Sequence, residues 1–230
     1  MQTIGLVGGM SWESTAVYYR DLNLGVQHRL GGLSSPKLVL STVDFAELTA
    51  LEDAERWPQI GDLLTDAARG VEQGGADFLL LCTTTFHKVA DRIEAAVDIP
   101  LLHLGDVVAE EVTSQGVTKV GFVGTTVAMS DGFFAERLGR HGLETVMPDA
   151  RHHDMLNSAI YDELVHGRVV AATRRRVLGV LEELWDAGVG GVLLGCTELE
   201  LLIKQADAEL PVYPCTTLHV NAALDRALAG

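Results

Sequence analysis

Short apolar runs alternate with longer amphipathic stretches along the whole chain. The short runs are rich in Val, Leu and Ile, and the longer stretches repeat apolar residues at helical spacing. This alternation predicts parallel strands joined by helical crossovers, and continuous apolar runs are typical of strands buried on both faces. Strands are predicted at residues 3–7, 37–40, 78–81, 101–102, 120–123, 192–194 and 212–213, with clear helices at residues 57–73, 133–141 and 169–186.

The pattern also repeats itself within the chain. Residues 3–9 resemble residues 119–125, residues 75–83 resemble 188–196, and residues 99–101 resemble 210–212, at offsets of 116, 113 and 111 residues. Three matches in the same order and at nearly constant offset indicate a tandem duplication of about 115 residues. The sequence therefore predicts two similar α/β halves.

Two strand ends in this repeat carry thiol and hydroxyl residues. Residues 75–85 read GADFLLLCTTT and residues 188–198 read GVGGVLLGCTE. Aligned on their glycines without a gap, Cys196 falls opposite Thr83 and not opposite Cys82. Because neighbouring residues on an extended strand point to opposite sides, we expect Cys82 to point toward the sheet packing when Thr83 and Cys196 point the other way.

Composition and charge exclude several classes of function. The formal net charge of −15 argues against binding to nucleic acids or anionic membranes, since both need basic patches. No apolar stretch approaches the roughly 18 residues of a membrane span, and the N-terminus lacks the basic region of a signal peptide. Three cysteines cannot all pair with one another and no Cys-x-x-Cys spacing occurs, so we expect a cytoplasmic protein with free thiols.

Small polar residues collect where the predicted strands end, which is where open parallel sheets bind ligands. Such residues also open helices, so each end has two interpretations, a carboxylate site at backbone N–H groups or an ordinary N-cap. The glycines of residues 5–9 lack both the Gly-x-Gly-x-x-Gly and the phosphate-loop spacing, which disfavours nucleotide binding. The four strand ends are residues 8–11, 82–85, 124–126 and 195–198.

Cys196 is the strongest single candidate for chemistry, although a buried cysteine is often inert. A position at a helix start predicts a lowered thiol pKa. Glu198 then has two candidate roles, binding a substrate ammonium or holding a neighbouring general base in position. His87, four residues after Thr83, is either a proton relay or a capping or surface residue. The pair His152-His153 has no matching ligand pattern, so no metal site is expected.

Three motifs resemble the aspartate/glutamate racemase family, specifically its aspartate-racemase-like branch within the Asp/Glu/hydantoin racemase superfamily. They are GLVGGMSWEST at residues 5–15, CTTTFHKV at residues 82–89 and LGCTEL at residues 194–199. The resemblance implies two parallel-sheet α/β domains related by a pseudo-twofold axis, with the active site in the cleft between them. It places residues 1–99 with 212–230 in the first domain and residues 100–211 in the second. Known members racemise acidic amino acids without a cofactor, and homodimers are common.

Family members use two cysteines on opposite faces of Cα, and this chain departs from that pattern. The usual motif is Cys-Asn-Thr-x-His, whereas residues 83–87 read Thr-Thr-Thr-Phe-His. The resemblance therefore implies Cys196 as the intact catalytic thiol and Thr83 in the place of the first cysteine, with Cys82 as the second choice. The implied substrate contacts are Met10, Ser11, Thr84, Thr85, Thr125, Thr126, Thr197 and Glu198.

The predicted function is racemisation of aspartate and/or glutamate without cofactor or metal. Inversion needs a proton donor on the face opposite the base, and a threonine hydroxyl is a far poorer base than a thiol. Three outcomes are open: a lopsided racemase, a single-cysteine relative that acts like a decarboxylase or another isomerase, and a protein that binds an acidic metabolite without turnover. The expected partners are a small acidic amino acid and a second copy of the chain.

Overall fold

The computed structural model describes residues 1–229, and the chain divides into two compact units. The first unit comprises Met1–Leu104 and the chain from His219 onward, and the second comprises Gly105–Leu218. The strands are β1 (Ile4–Gly8), β2 (Leu38–Thr42), β3 (Phe78–Leu81), β4 (Lys119–Val123), β5 (Glu144–Val146), β6 (Val192–Leu194) and β7 (Val212–Pro214). The α-helices are α1 (Trp12–Leu30), α2 (Phe45–Asp53), α3 (Trp57–Gln73), α4 (Ala90–Glu94), α5 (Leu104–Ser114), α6 (Thr126–Ser130), α7 (Phe133–Gly139), α8 (His153–Ser158), α9 (Ala171–Asp186), α10 (Thr197–Leu202) and α11 (Cys215–Ala229).

Each unit contains one parallel sheet, and the two sheets have the same strand order. The first runs β2-β1-β3, with Leu101 forming a parallel bridge to Leu79 beyond β3. The second runs β5-β4-β6-β7. The prediction of two parallel-sheet α/β regions is confirmed, while the pseudo-twofold relation between them stays a prediction.

Strands β1 and β3 of the first sheet are buried on both faces, as their continuous apolar sequences predict. Alternate residues of β1 and β3 point to opposite sides, so Val7, Leu79 and Leu81 join a cluster with α3. Ile4, Leu6 and Leu80 join a second cluster on the other face, which contains apolar residues of α1 and α11. Helix α3 contributes Ile60, Leu64, Ala68 and Val71, while α1 and α11 contribute Tyr18, Leu22, Val26, Ala223 and Leu224.

The boundaries differ from the sequence-based expectation in a few places. Residues 101–102 stay with the first unit because Leu101 pairs with Leu79. Residues 212–218, expected in the first domain, lie in the second unit because β7 pairs with β6. Strand β5 was not predicted, since three residues at a sheet edge leave no alternation to detect.

Membrane-spanning helices and clusters of metal-ligating side chains are both absent from the described residues. Among residues 1–229, no helix combines the length and the apolar character needed to cross a membrane. Over the same residues, His, Cys, Asp and Glu side chains form no group of three or more that could hold a metal ion.

Candidate active site

The ends of β3 and β6 have the same backbone register. Val7 of β1 pairs with Leu81, and Val123 of β4 pairs with Leu194. The next residue in each unit donates its N–H to that same partner carbonyl, Cys82 to Val7 at 2.9 Å and Gly195 to Val123 at 2.8 Å. Cys82 therefore corresponds to Gly195, and Thr83, one residue later, corresponds to Cys196.

The side chain of Cys82 lies in the core of the first unit. It is fully buried and belongs to the cluster that contains Leu80 and Tyr18. Burial raises the pKa of the Cys82 thiol well above its ordinary value, because the core offers nothing to solvate a thiolate. Thr83, in contrast, is partly exposed.

The corresponding position in the second unit has no room for a side chain. A Cβ added at Gly195 would lie 2.3 Å from two ring carbons of Phe122. Phe122 corresponds in the repeat to Leu6, whose smaller side chain packs in the same cluster as Cys82. The larger residue on the central strand thus explains why glycine precedes Cys196.

Cys196 is partly exposed and pairs with a carboxylate. Its backbone is extended at the N-cap of α10, and its Sγ–H donates to Oε2 of Glu198 at 2.9 Å. Glu198 is buried, with 6% of its surface exposed. This contact joins a thiol and a carboxylate that are two residues apart in the chain, at the start of one helix.

The predicted lowering of the Cys196 pKa by a helix start is wrong. The pKa of this thiol is raised well above its ordinary value, first by burial, then by the negative charge of Glu198 and by the hydrogen bond to it, with a smaller effect of Glu200. Helix α10 has only six residues, and its N-terminal dipole does not outweigh a carboxylate at 2.9 Å.

His87 and Glu200, four positions after Thr83 and Cys196, each accept a hydrogen bond from a backbone N–H at the start of a later helix. Nε2 of His87 accepts from the N–H of Leu104, the first residue of α5, at 3.3 Å. Glu200 accepts from the N–H of Thr216 at 2.6 Å and from the hydroxyl of Thr217 at 2.9 Å, at the start of α11. His87 therefore has a capping contact, and its role as a proton relay stays a prediction.

A buried histidine cluster surrounds His87 in the first unit. The ring centroids of His87 and His103 are 4.6 Å apart, and those of His87 and His219 are 6.2 Å apart. Nε2 of His219 donates to the carbonyl of Leu102 at 2.7 Å, so Nδ1 accepts from the hydroxyl of Tyr18 at 2.9 Å. Burial lowers the pKa of His219 to about 4. Sequence reasoning missed His103 and His219 because no motif joins residues so far apart in the chain.

Several predicted substrate contacts also act as caps. Ser11 accepts from the N–H of Ser14 at 3.2 Å, and Thr125 accepts from the N–H of Ala128 at 3.3 Å. Both side chains are buried, so the N-cap interpretation of these residues is confirmed. Their contact with a substrate stays a prediction.

The other predicted contacts differ in exposure. Met10 is 5% exposed and packs in the core with Val7, and its contact with a substrate stays a prediction. The N–H of Thr126 donates to Oδ1 of Asn157 at 3.2 Å, a partner that the sequence did not indicate. Thr84 and Thr85 are buried, while Thr126 and Thr197 are partly exposed.

Known proteins resemble the chain over nearly its whole length. The family model described as Asp/Glu/Hydantoin racemase matches residues 7–223. A crystal structure from Yersinia pestis, of a protein provisionally named an Asp/Glu racemase, is 43% identical with a TM-score of 0.93, and the match covers 99% of this chain and 100% of that one. An aspartate racemase homologue from Pyrococcus horikoshii is 31% identical with a TM-score of 0.87, and covers 99% of both chains. The broad specificity amino-acid racemase RacX of Bacillus subtilis is 20% identical over 98% of each chain.

Proposed function

We propose that this chain, which belongs to the Asp/Glu/Hydantoin racemase family and is an amino-acid racemase, acts on aspartate or glutamate with Cys196 as its thiol acid and base. The observation that carries the proposal is the environment of Cys196. Cys196 is a partly exposed residue whose thiol is hydrogen-bonded to Glu198, whereas Cys82 and Cys215 are buried in the core. Only Cys196 combines access with an acid–base partner.

The proposed reaction uses unequal groups on the two faces of Cα. The Cys196 thiolate removes the α-proton, forming an S–H bond while the C–H electron pair passes into the substrate carboxylate. Backbone N–H groups and hydroxyls then stabilise the charge that develops there. A proton returns to the opposite face from the Thr83 side, either from its hydroxyl or from a water that it positions. Racemisation on this scheme requires neither cofactor nor metal.

The correspondence of Thr83 with Cys196 supports this assignment of faces. A duplicated fold can supply opposed groups from corresponding residues. The strand register makes Thr83, and not Cys82, the residue that corresponds to Cys196. The proposal requires Thr83 and Cys196 to approach one substrate from opposite sides. It further supposes a cytoplasmic homodimer.

The names of the relatives support an acidic substrate. Two of the relatives compared above carry aspartate or glutamate in their names, and a third is named for broad specificity. Aspartate and glutamate are therefore the first substrates to test, with neutral amino acids next.

A second candidate function follows from the loss of the first thiol. A reaction that protonates Cα once, such as decarboxylation of a substituted malonate, needs one acid only. Thr83, a hydroxyl at the position of the first cysteine, favours this candidate over a symmetric racemase.

The proposal is tested by exchange of the α-proton in heavy water. Wild-type enzyme is incubated with each enantiomer of Asp, Glu and several neutral amino acids, and deuterium at Cα is followed by NMR while chiral chromatography follows inversion. We expect exchange with an acidic amino acid, its abolition in Cys196→Ala, and its retention in Cys82→Ala.

Cys82→Ala is the matched control because it removes a thiol from the same strand-end motif. Abolition of exchange by Cys82→Ala with retention by Cys196→Ala would reverse the assignment of the base. No exchange by the wild-type enzyme with any amino acid, together with turnover of a malonate, would favour the decarboxylase.

A further inference from the structure

We infer that Glu198 takes up the thiol proton of Cys196 before the α-proton is removed and releases it to solvent at the end of the turnover, so that the base of this enzyme is a cysteine–glutamate pair. This inference rests on the proposed function and adds the residue that prepares its base. The geometry is direct, since Sγ of Cys196 donates to Oε2 of Glu198 at 2.9 Å. A positioned carboxylate at hydrogen-bonding distance meets the first requirement for proton transfer.

The surroundings of Cys196 make such an acceptor necessary. A reactive cysteine is usually activated by a neighbouring cation or by a helix N-terminus. Here the charged groups that act on the thiol are acidic, Glu198 first and Glu200 more weakly. The free protein therefore holds Cys196 as a thiol, and the α-proton cannot be removed until the S–H proton has moved.

Transfer to Glu198 solves this problem without moving charge in or out of the site. The S–H bond breaks and an O–H bond forms on Oε2, so a thiol and a carboxylate become a thiolate and a carboxylic acid with the same net charge. The thiolate then accepts the α-proton, and the electron pair of the C–H bond stays on the substrate. The α-proton itself restores the Cys196 thiol. Because Glu198 is only 6% exposed, it holds its proton until the product leaves. The resting state then returns when Glu198 gives that proton to solvent and a solvent proton replaces the one donated from the Thr83 side.

The first unit has no counterpart of this pair. The repeat aligns Glu198 with Thr85, just as it aligns Cys196 with Thr83. A hydroxyl at position 85 cannot store a proton as a carboxylate does. The proton store therefore belongs to one face of the substrate only.

The test compares the Glu198→Gln variant with wild type in two assays that should move in opposite directions. Glutamine removes the negative charge and the proton acceptor, so the pKa of Cys196 falls and more thiolate forms in the free protein. We expect alkylation of Cys196 by iodoacetamide, followed by peptide mass spectrometry at pH 7.5, to be at least about 5-fold faster. We expect kcat for Cα exchange to be about 100-fold lower, with KM changed by less than about 3-fold.

Two further variants keep the comparison interpretable. Glu209→Gln removes a charge from an exposed residue of the same unit, and it should leave both alkylation and kcat unchanged. Glu198→Asp keeps a carboxylate on a shorter side chain, and we expect slow alkylation as in wild type with kcat reduced about 10-fold. This variant also serves if Glu198→Gln fails to fold.

Two results would overturn the inference. If kcat rises together with the alkylation rate in Glu198→Gln, the Glu198 charge only suppresses formation of the thiolate and takes no part in proton transfer. A raised KM with unchanged kcat would make it a binder of the substrate ammonium. Absence of exchange by wild type would instead refute the proposed function, and the alkylation assay, which needs no substrate, separates that result from a failure of the Glu198 inference.

Discussion

The ends of β3 and β6 have the same backbone register, but three of their four corresponding residues differ: Cys82, Thr83 and Thr85 in the first unit correspond to Gly195, Cys196 and Glu198 in the second. Equivalent N–H groups bond to equivalent carbonyls at 2.9 and 2.8 Å, yet the first end presents Thr83 after a buried cysteine and the second presents Cys196 after a glycine. The two units thus keep the same backbone register at this strand end while the side chains at corresponding positions differ in chemistry. A thiol near a strand end is therefore assigned by register, not by proximity in sequence.

Corresponding residues also differ in chemistry where their function is structural, as His87 and Glu200 show. His87 and Glu200 occupy corresponding positions, and both accept hydrogen bonds from the first residues of a helix later in the chain. One acceptor is an imidazole among buried rings, and the other is a carboxylate whose pKa is raised by burial. The need for an acceptor at this place is common to both units, while its charge is not.

The largest effect is expected from removing the hydroxyl of Thr83, the residue of the first unit that corresponds to Cys196. Thr83→Val keeps the shape of the side chain and removes its proton, so we expect racemisation to fall about 100-fold, the range of one general acid. Deuterium exchange without inversion should continue, because Cys196 still acts on its own face. Chiral chromatography and NMR on the same samples measure the two rates.

Thr83→Ser is the control for this experiment, since it keeps the hydroxyl and should retain most of the racemisation. If Thr83→Val inverts its substrate as fast as wild type, another group supplies the second proton and the two strand ends are not functional partners.

The next effect concerns the glycine that replaces Cys82 in the second unit. Gly195→Ala places a Cβ about 2.3 Å from the ring of Phe122, and we expect the free energy of unfolding to fall by about 2–3 kcal/mol through overpacking. The loss should be smaller in a Phe122→Leu background, which reproduces the Leu6 environment of the first unit. Urea unfolding of the four proteins of this cycle measures the coupling.

Gly179→Ala is a matched control, because Gly179 lies in α9 and an added Cβ meets nothing within 4 Å. It should be neutral or stabilising, by up to about 1 kcal/mol. An equal loss in both variants would remove packing against Phe122 as the reason for the glycine.

The smallest effect is on the pH dependence of the free energy of unfolding, to which His219 of the first unit and Glu200 of the second contribute in opposite directions. The pKa of His219 is lowered from 6.5 to about 4, so between these values the unfolded chain binds a proton that the folded chain does not. Stability from this residue is fully present above pH 6.5 and decreases as the pH falls toward 4. We expect a loss of about 1 kcal/mol between pH 6 and pH 5.

Denaturant unfolding at pH 7, 6 and 5 measures this slope, and His219→Gln should flatten it. Glu200 acts in the opposite direction, since a carboxyl whose pKa is raised on folding favours the folded state as the pH falls. A slope that is the same in wild type and His219→Gln would show that the Tyr18–His219 contact opens before the unfolding transition.

The sequence by itself determined the parallel α/β architecture, the duplication and the correspondence of Thr83 with Cys196. Each depends on local pattern: apolar runs predict buried strands, and a gapless alignment of two strand ends preserves their alternation. Helix α3, at Trp57–Gln73, has the predicted limits because its apolar spacing is continuous over that length. Strand β5 was not predicted, because its three residues carry no strand pattern of their own and it is a strand only through its pairing with β4.

Only the tertiary structure decided the electrostatics of the candidate site. The sequence placed Cys196 at a helix start and predicted a more acidic thiol, but burial and the Glu198 carboxylate together reverse that effect. The same holds for His219, whose partners Tyr18 and Leu102 are remote in the chain and meet only after folding. Pattern records where a strand ends, whereas a pKa depends on solvent exclusion and on charges at a few ångströms, which exist only in the folded molecule.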